Sequence, residues 1–220
     1  MKTIRLFIFA YFLCCFNFLF AQEELSNGLL FPQFENGTVI FKNRTQYSAL
    51  INYSLLYQEM LFQDSDSLIK AFADPLDILV VTVEKRRFFP ISSKGVFYEE
   101  IQAGNGSFFV QYKANMRSEG KASAYGGYSQ TTSISTFGSI SNNSTGTFNQ
   151  LNPKEKFILK KDNLYYLQSG KSYKSFNSAK SLGKLFKGKE LKIEEFAKEQ
   201  SINFNNIDDI ARIVEYGYSL

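Results

Sequence analysis

Asn36-Gly-Thr-Val-Ile-Phe-Lys42, Gln46-Tyr-Ser-Ala-Leu-Ile-Asn52 and Glu59-Met-Leu-Phe-Gln63 set a pattern that continues to Asn115. Short runs rich in Val, Ile, Phe and Tyr alternate with polar or glycine-containing breaks, as they do when a sheet is laid down strand by strand. Asn43-Arg44-Thr45 and Asp64-Ser65-Asp66-Ser67 read as turns. Ile78–Val83 is unbroken apolar sequence, the signature of a central strand. Pro90 bars an interior strand at its own position. Val96–Ile101 and Ser107–Tyr112 form a hairpin through Gly104-Asn105-Gly106. The spacing leaves no room for crossover helices, so the sheet is expected to be antiparallel, with about seven or eight strands in a meander, roll or open barrel.

Outward from this stretch the character changes. Lys2 and Arg5 precede the apolar run Leu6–Phe20, and Ala21 is followed by Gln22-Glu23-Glu24. That is the pattern of a secretory signal peptide at residues 1–21, cleaved after Ala21. The run is too short for a spanning helix of roughly 20 residues. Neither Cys14 nor Cys15 follows the small residue that a lipoprotein signal needs. Residues 22–116 form the β domain. Residues 117–152, rich in Ser, Thr, Gly and Asn, read as a flexible insertion. Residues 153–170 read as a β-hairpin that closes the sheet, turning at Asp162-Asn163. Residues 171–220 read as a subdomain of short helices. In it Phe176, Ala179, Leu182 and Leu185 share a face, Gly188 ends the first element, Asn206 caps the last and Gly217 ends it. The fold class is therefore α+β, an antiparallel β unit followed by a small C-terminal bundle.

The residue inventory restricts the chemistry. The chain has no His and no Trp, and its only two cysteines lie in the signal. A mature chain without imidazole or thiol excludes Ser-His-Asp and Cys-His nucleophiles, and with them His- or Cys-built metal sites. No cofactor is expected. Asp64-Ser65-Asp66 opens like a calcium loop but lacks its later Gly and Glu. A carbohydrate-active enzyme using convergent carboxylates is the alternative function. Glu59, Asp77 and one of Glu99 and Glu100 are its candidates. Glu99 and Glu100 are adjacent in a strand, so they point to opposite faces. The mature strands are too short for an outer-membrane barrel.

Charge is segregated. Ten lysines between Pro153 and Lys189 meet only Glu155 and Asp162, a net charge of about +8 between two mildly acidic regions. Such a segment attracts anionic glycans, lipopolysaccharide or a membrane surface. Lys85, Arg86, Arg87, Lys160 and Lys161 are the candidate anion contacts, with Tyr125 and Tyr128 as candidate ligand contacts from the insertion. Tyr53, Tyr57, Tyr98, Tyr165 and Tyr166 are further tyrosines that could stack on sugars.

Gly37-Thr-Val-Ile-Phe-Lys, Leu50-Ile-Asn-Tyr, Glu59-Met-Leu-Phe, Phe97-Tyr-Glu, Ala124-Tyr-Gly-Gly and a tail with Asp208-Asp209-Ile210 and Glu215-Tyr216 resemble a family of uncharacterised exported proteins of Gram-negative bacteria. The resemblance spans most of the mature chain and carries no catalytic signature. It implies export to the periplasm, the outer membrane or the medium; the lysine-rich segment makes an anionic envelope component or an envelope protein the expected partner, and export argues against nucleic acid. The expected function is a non-enzymatic binding or assembly module of the cell envelope.

Overall fold

A computed structural model describes residues 28–91, 94–118, 121–122, 128–129 and 157–220. The strands are β1 (Glu35–Phe41), β2 (Gln46–Ser54), β3 (Glu59–Gln63), β4 (Ile69–Ala71), β5 (Ile78–Val83), β6 (Arg86–Pro90) and β7 (Phe97–Ala103). They continue with β8 (Gly106–Gln111), β9 (Ala114–Ser118), β10 (Lys121–Ala122), β11 (Tyr128–Ser129), β12 (Phe157–Lys161), β13 (Leu164–Ser169) and β14 (Ser172–Phe176). Three helices close the chain: α1 (Ala179–Gly183), α2 (Glu190–Glu199) and α3 (Ile207–Ser219). The expected class holds: a mostly antiparallel sheet with short helices near the C-terminus.

One 10-stranded sheet runs β14-β13-β8-β7-β6-β5-β1-β2-β3-β4, more strands than the sequence suggested. It is open, but it coils. Tyr53 at the end of β2 donates from its hydroxyl to the carbonyls of Tyr112 (3.0 Å) and Phe97 (3.3 Å). Ala114 N donates to Leu55 O at 3.0 Å. These bonds tie the end of β2 to the start of β7 and to the residues that follow β8, although β6, β5 and β1 lie between β2 and β7 in the sheet. The strong right-handed twist of successive strands produces this curl, which wraps one face around a core.

The hairpin signals are where the sequence put them. Gly104 takes a left-handed φ of 58° in the tight turn that pairs Ala103 with Gly106. Asp64 Oδ1 accepts from the backbone of Asp66 and Leu68, and its carboxylate pairs with Lys70, so it serves the β3–β4 turn. Pro90 is paired only with Phe97 of β7, because the ladder to β5 ends at Phe88. Its missing N–H therefore breaks no bond on the β5 side.

Four expectations are corrected. First, β12 and β13 do not pair with each other. β12 pairs with β9 in a separate ladder, whereas β13 joins the sheet between β8 and β14. The true hairpin turns at Gly170, whose φ is 63°. Second, residues 172–176 belong to the sheet, so Phe176 ends a strand and the helical region starts at Ser178, which caps α1 reciprocally with Ser181. Third, Gly217 does not end the last helix. It is buried within α3, and a Cβ there would come 2.6 Å from the Phe186 ring, so glycine permits close helix packing. Fourth, Tyr53, Tyr98 and Tyr165 are buried, Tyr53 and Tyr165 within the hydrophobic core.

Asn206 caps α3 as expected, accepting from the backbone of Asp208 and Asp209. α3 packs on the β7–β8 end of the sheet, and Tyr218 donates its hydroxyl proton to Ser107 O at 3.0 Å. The expected signal peptide lies outside the described residues, as does most of the expected insertion. β10 and β11 pair Ala122 with Tyr128. Among the described residues no helix is long and apolar enough to cross a membrane.

Candidate functional site

Among the described residues, the helices pack on one face of the sheet and none packs on the other. On the covered face a register-aligned row runs Val39, Val81, Phe88, Glu99, Val110, Tyr165, Phe176. One glutamate stands in an otherwise apolar and aromatic row. Glu99 accepts a fork of two bonds from Arg86, at 2.7 Å from Nε and 2.8 Å from Nη2, and a further bond from the Tyr112 hydroxyl. The Arg86 guanidinium lies over the rings of Phe31 (4.8 Å), Tyr112 (5.3 Å) and Phe88 (5.4 Å). Burial alone would disfavour the charge on Arg86. The hydrogen bond to Glu99 and the Glu99 charge oppose this, and the Arg86 pKa is raised on balance.

The other face carries a second row: Ser48, Thr38, Thr82, Arg87, Glu100, Phe109, Tyr166, Ser175. Directly opposed residues in an antiparallel ladder share a face, so these side chains form one band across the sheet. At one end, Thr38, Ser48, Leu50 and Thr82 line a shallow groove of about 500 Å³. In the middle, Arg87 pairs with Glu100 at 2.9 Å and lies over the Phe89 ring at 5.0 Å. At the other end, Tyr98 stacks on Tyr166 with centroids 4.9 Å apart, and Tyr173 meets Phe109 edge to face at 5.0 Å. Tyr166 donates its hydroxyl proton to Gln111 Oε1 at 2.8 Å, and Gln111 in turn bonds Gln58. The result is a half-buried aromatic surface fringed by amides and hydroxyls.

The candidate anion contacts do not converge. Arg86 and Arg87 point to opposite faces of β6, each held by the glutamate on its own side. Lys85 is exposed in the turn between β5 and β6. Lys160 and Lys161 are exposed on β12, opposite Asn115 and Ala114, in the ladder separate from the sheet. Tyr128 lies in β11, and Tyr125 falls outside the described residues. Glu59 and Asp77 are exposed, on β3 and in the 3-10 turn Pro75–Asp77. Among the described residues no cluster of acidic side chains could hold a metal ion. The Arg86–Glu99 partnership had a signal that motif reading missed. Two adjacent cations are followed by two adjacent anions in the next strand of a hairpin, which places opposite charges on both faces at once.

Comparison with protein-family models, with curated protein sequences and with solved structures finds no match.

Burial raises the pKa of the Tyr53, Tyr98 and Tyr112 hydroxyls; neighbouring charges add to this for Tyr53, Tyr166 adds to it for Tyr98 and Glu99 for Tyr112. A raised folded value means that the unfolded chain ionises first, at about pH 10. Stability is thus fully present below that value and falls as pH rises above it, by up to about 1.4 kcal/mol per pH unit for each tyrosine. Urea midpoints measured at increasing pH, read beside the ultraviolet phenolate band, check this. A midpoint unchanged between about pH 9 and pH 11 would contradict the burial of these hydroxyls.

Proposed function

We propose that this chain is a non-enzymatic binding module of the cell envelope that engages a glycan polymer through the open face of its sheet. The observation that carries the reading is the half-buried aromatic trio of Phe89, Tyr166 and Tyr173, backed by the buried Tyr98 and Phe109 rings and bordered by Gln111, Gln58, Arg87 and Glu100. Aromatic faces bury the apolar side of a sugar ring, while the surrounding amides and charges meet its hydroxyls. The carboxylates of Glu99 and Glu100 are already engaged by Arg86 and Arg87, which supports binding over acid–base chemistry. Export to the envelope rests on the signal-like residues 1–21 and the resemblance described above.

The test is cosedimentation with insoluble peptidoglycan together with a glycan array, at low and physiological salt. Binding that persists at physiological salt is expected, because stacking on rings is not screened. Tyr166→Ala combined with Tyr173→Ala is expected to weaken it about tenfold, a loss of about 1.4 kcal/mol. Absence of glycan binding, with a stoichiometric envelope protein recovered instead, would make the chain an assembly subunit.

A further inference from the structure

Where β13 and β14 meet the helices, the core stops short and leaves a cleft of about 330 Å³. Leu167, Ser169, Lys174, Leu185, Phe186 and Tyr218 line it. Lys174 stands two residues before the buried Phe176, so it lies on the core-facing side of the edge strand β14. It lines the cleft together with the apolar Leu185 and Phe186. Exposed Lys184 and Lys187 flank those two residues in the chain.

Along this stretch of the chain the charge has one sign. Between Asn163 and Lys189 stand Lys171, Lys174, Lys180, Lys184, Lys187 and Lys189, and no acidic residue. Lys189 is occupied, its Nζ donating to Leu220 O at 2.7 Å. Among the described residues none of the other five is paired with an acid. Of the acids on the packed helices, Glu215 lies against Gly104 in the β7–β8 turn and Glu190 packs on Gly183.

We propose that this cleft binds a single-chain anionic amphiphile. The alkyl chain lies against Leu167, Leu185, Phe186 and the Tyr218 ring. The carboxylate or phosphate head meets Lys174 with Lys184 or Lys187. An anionic glycan would use the lysines but not the apolar wall, and a neutral lipid would use the wall but not the lysines. The site is separate from the open sheet face and stands whether or not that face binds glycans.

Calorimetric titration of the folded chain with octanoate, decanoate and dodecanoate, each below its micelle concentration, tests it. Saturable one-to-one binding is expected, tightening about fourfold per methylene until the cleft is filled. Dodecanol should bind at least about tenfold more weakly, for want of a charged head. Lys174→Gln combined with Lys184→Gln should weaken dodecanoate binding about tenfold at low salt while leaving the thermal midpoint unchanged, because both side chains are exposed. Vesicles of phosphatidylcholine with and without lysophosphatidylglycerol, a single-chain anionic lipid, separate the sources. Uptake of dodecanoate together with the anionic vesicles assigns the ligand to lipid, and uptake of dodecanoate alone assigns it to free fatty acid. Affinity indifferent to chain length, or vesicle adsorption without dodecanoate binding, would overturn the proposal.

Discussion

Glu99→Ala is expected to destabilise the protein by about 3–5 kcal/mol, the range for removing one partner of a buried ion pair. The side chain of Glu99 is only 7% exposed and occupies an apolar row between Phe88 and Val110. Its loss leaves the Arg86 guanidinium among three rings with no counter-charge, and the Tyr112 hydroxyl with no acceptor. Arg86→Ala should cost a similar amount from the other side. The double variant Arg86→Met, Glu99→Leu should lose less than either single one, because two apolar side chains suit a site framed by Phe31, Phe88 and Val110. Urea unfolding of the parent chain and the three variants measures these losses. Single variants that each lose less than about 1 kcal/mol would show that water already screens the pair.

The same cluster shows what was and was not legible in the sequence. Alternation along a strand is local, so it placed Glu99 and Glu100 on opposite faces without further information. The face that each would meet depended on register. Phe88 opposes Glu99 directly, whereas Arg86 reaches it diagonally, a contact that long side chains can make across a ladder. Turns were legible because Gly104, Arg44 and Asn206 act through their own backbone geometry or immediate neighbours. The partner of β12 was not. It is β9, and the intervening residues carry no spacing signal that would choose β9 over the adjacent β13. Phe176 misled for a related reason. Its distance from Ala179 fits a helical stripe, yet Tyr165 pairs with it across the β13–β14 ladder, and that tertiary pairing prevails. The open-face band was illegible as a unit, since its members come from eight strands and only the register lines them up.

Asn52→Leu is the second change with a large expected effect, a loss of about 3 kcal/mol or more from several backbone groups deprived of partners. Asn52 is fully buried, and its reason lies in the strand beside it. Leu29 bridges to Ser54 and Glu35 pairs with Ile51, so residues 30–34 must fit opposite Asn52 and Tyr53 alone. The extra backbone bulges, and the Asn52 amide fills the bulge. Oδ1 accepts from Phe31 N at 3.1 Å and from Tyr53 N at 2.8 Å, while Nδ2 donates to Phe31 O at 3.0 Å and Gln33 O at 2.9 Å. Leucine matches the volume and supplies none of these bonds. Aspartate isolates the donor half: it keeps the two acceptances but sets a carboxylate against two carbonyl oxygens. Protonation would relieve that repulsion, so the folded-state pKa of the introduced Asp is expected to rise. The Asn52→Asp deficit should then be smallest below the unfolded value of about 3.9 and grow as pH rises through the folded one. The consequence reaches the ion pair, because the bulge holds Phe31 over Arg86. Amide exchange across residues 28–34 should therefore accelerate in both variants, and Glu99→Ala should cost less on the Asn52→Leu background than alone. Strict additivity of the two losses would show that the bulge and the ion pair are independent.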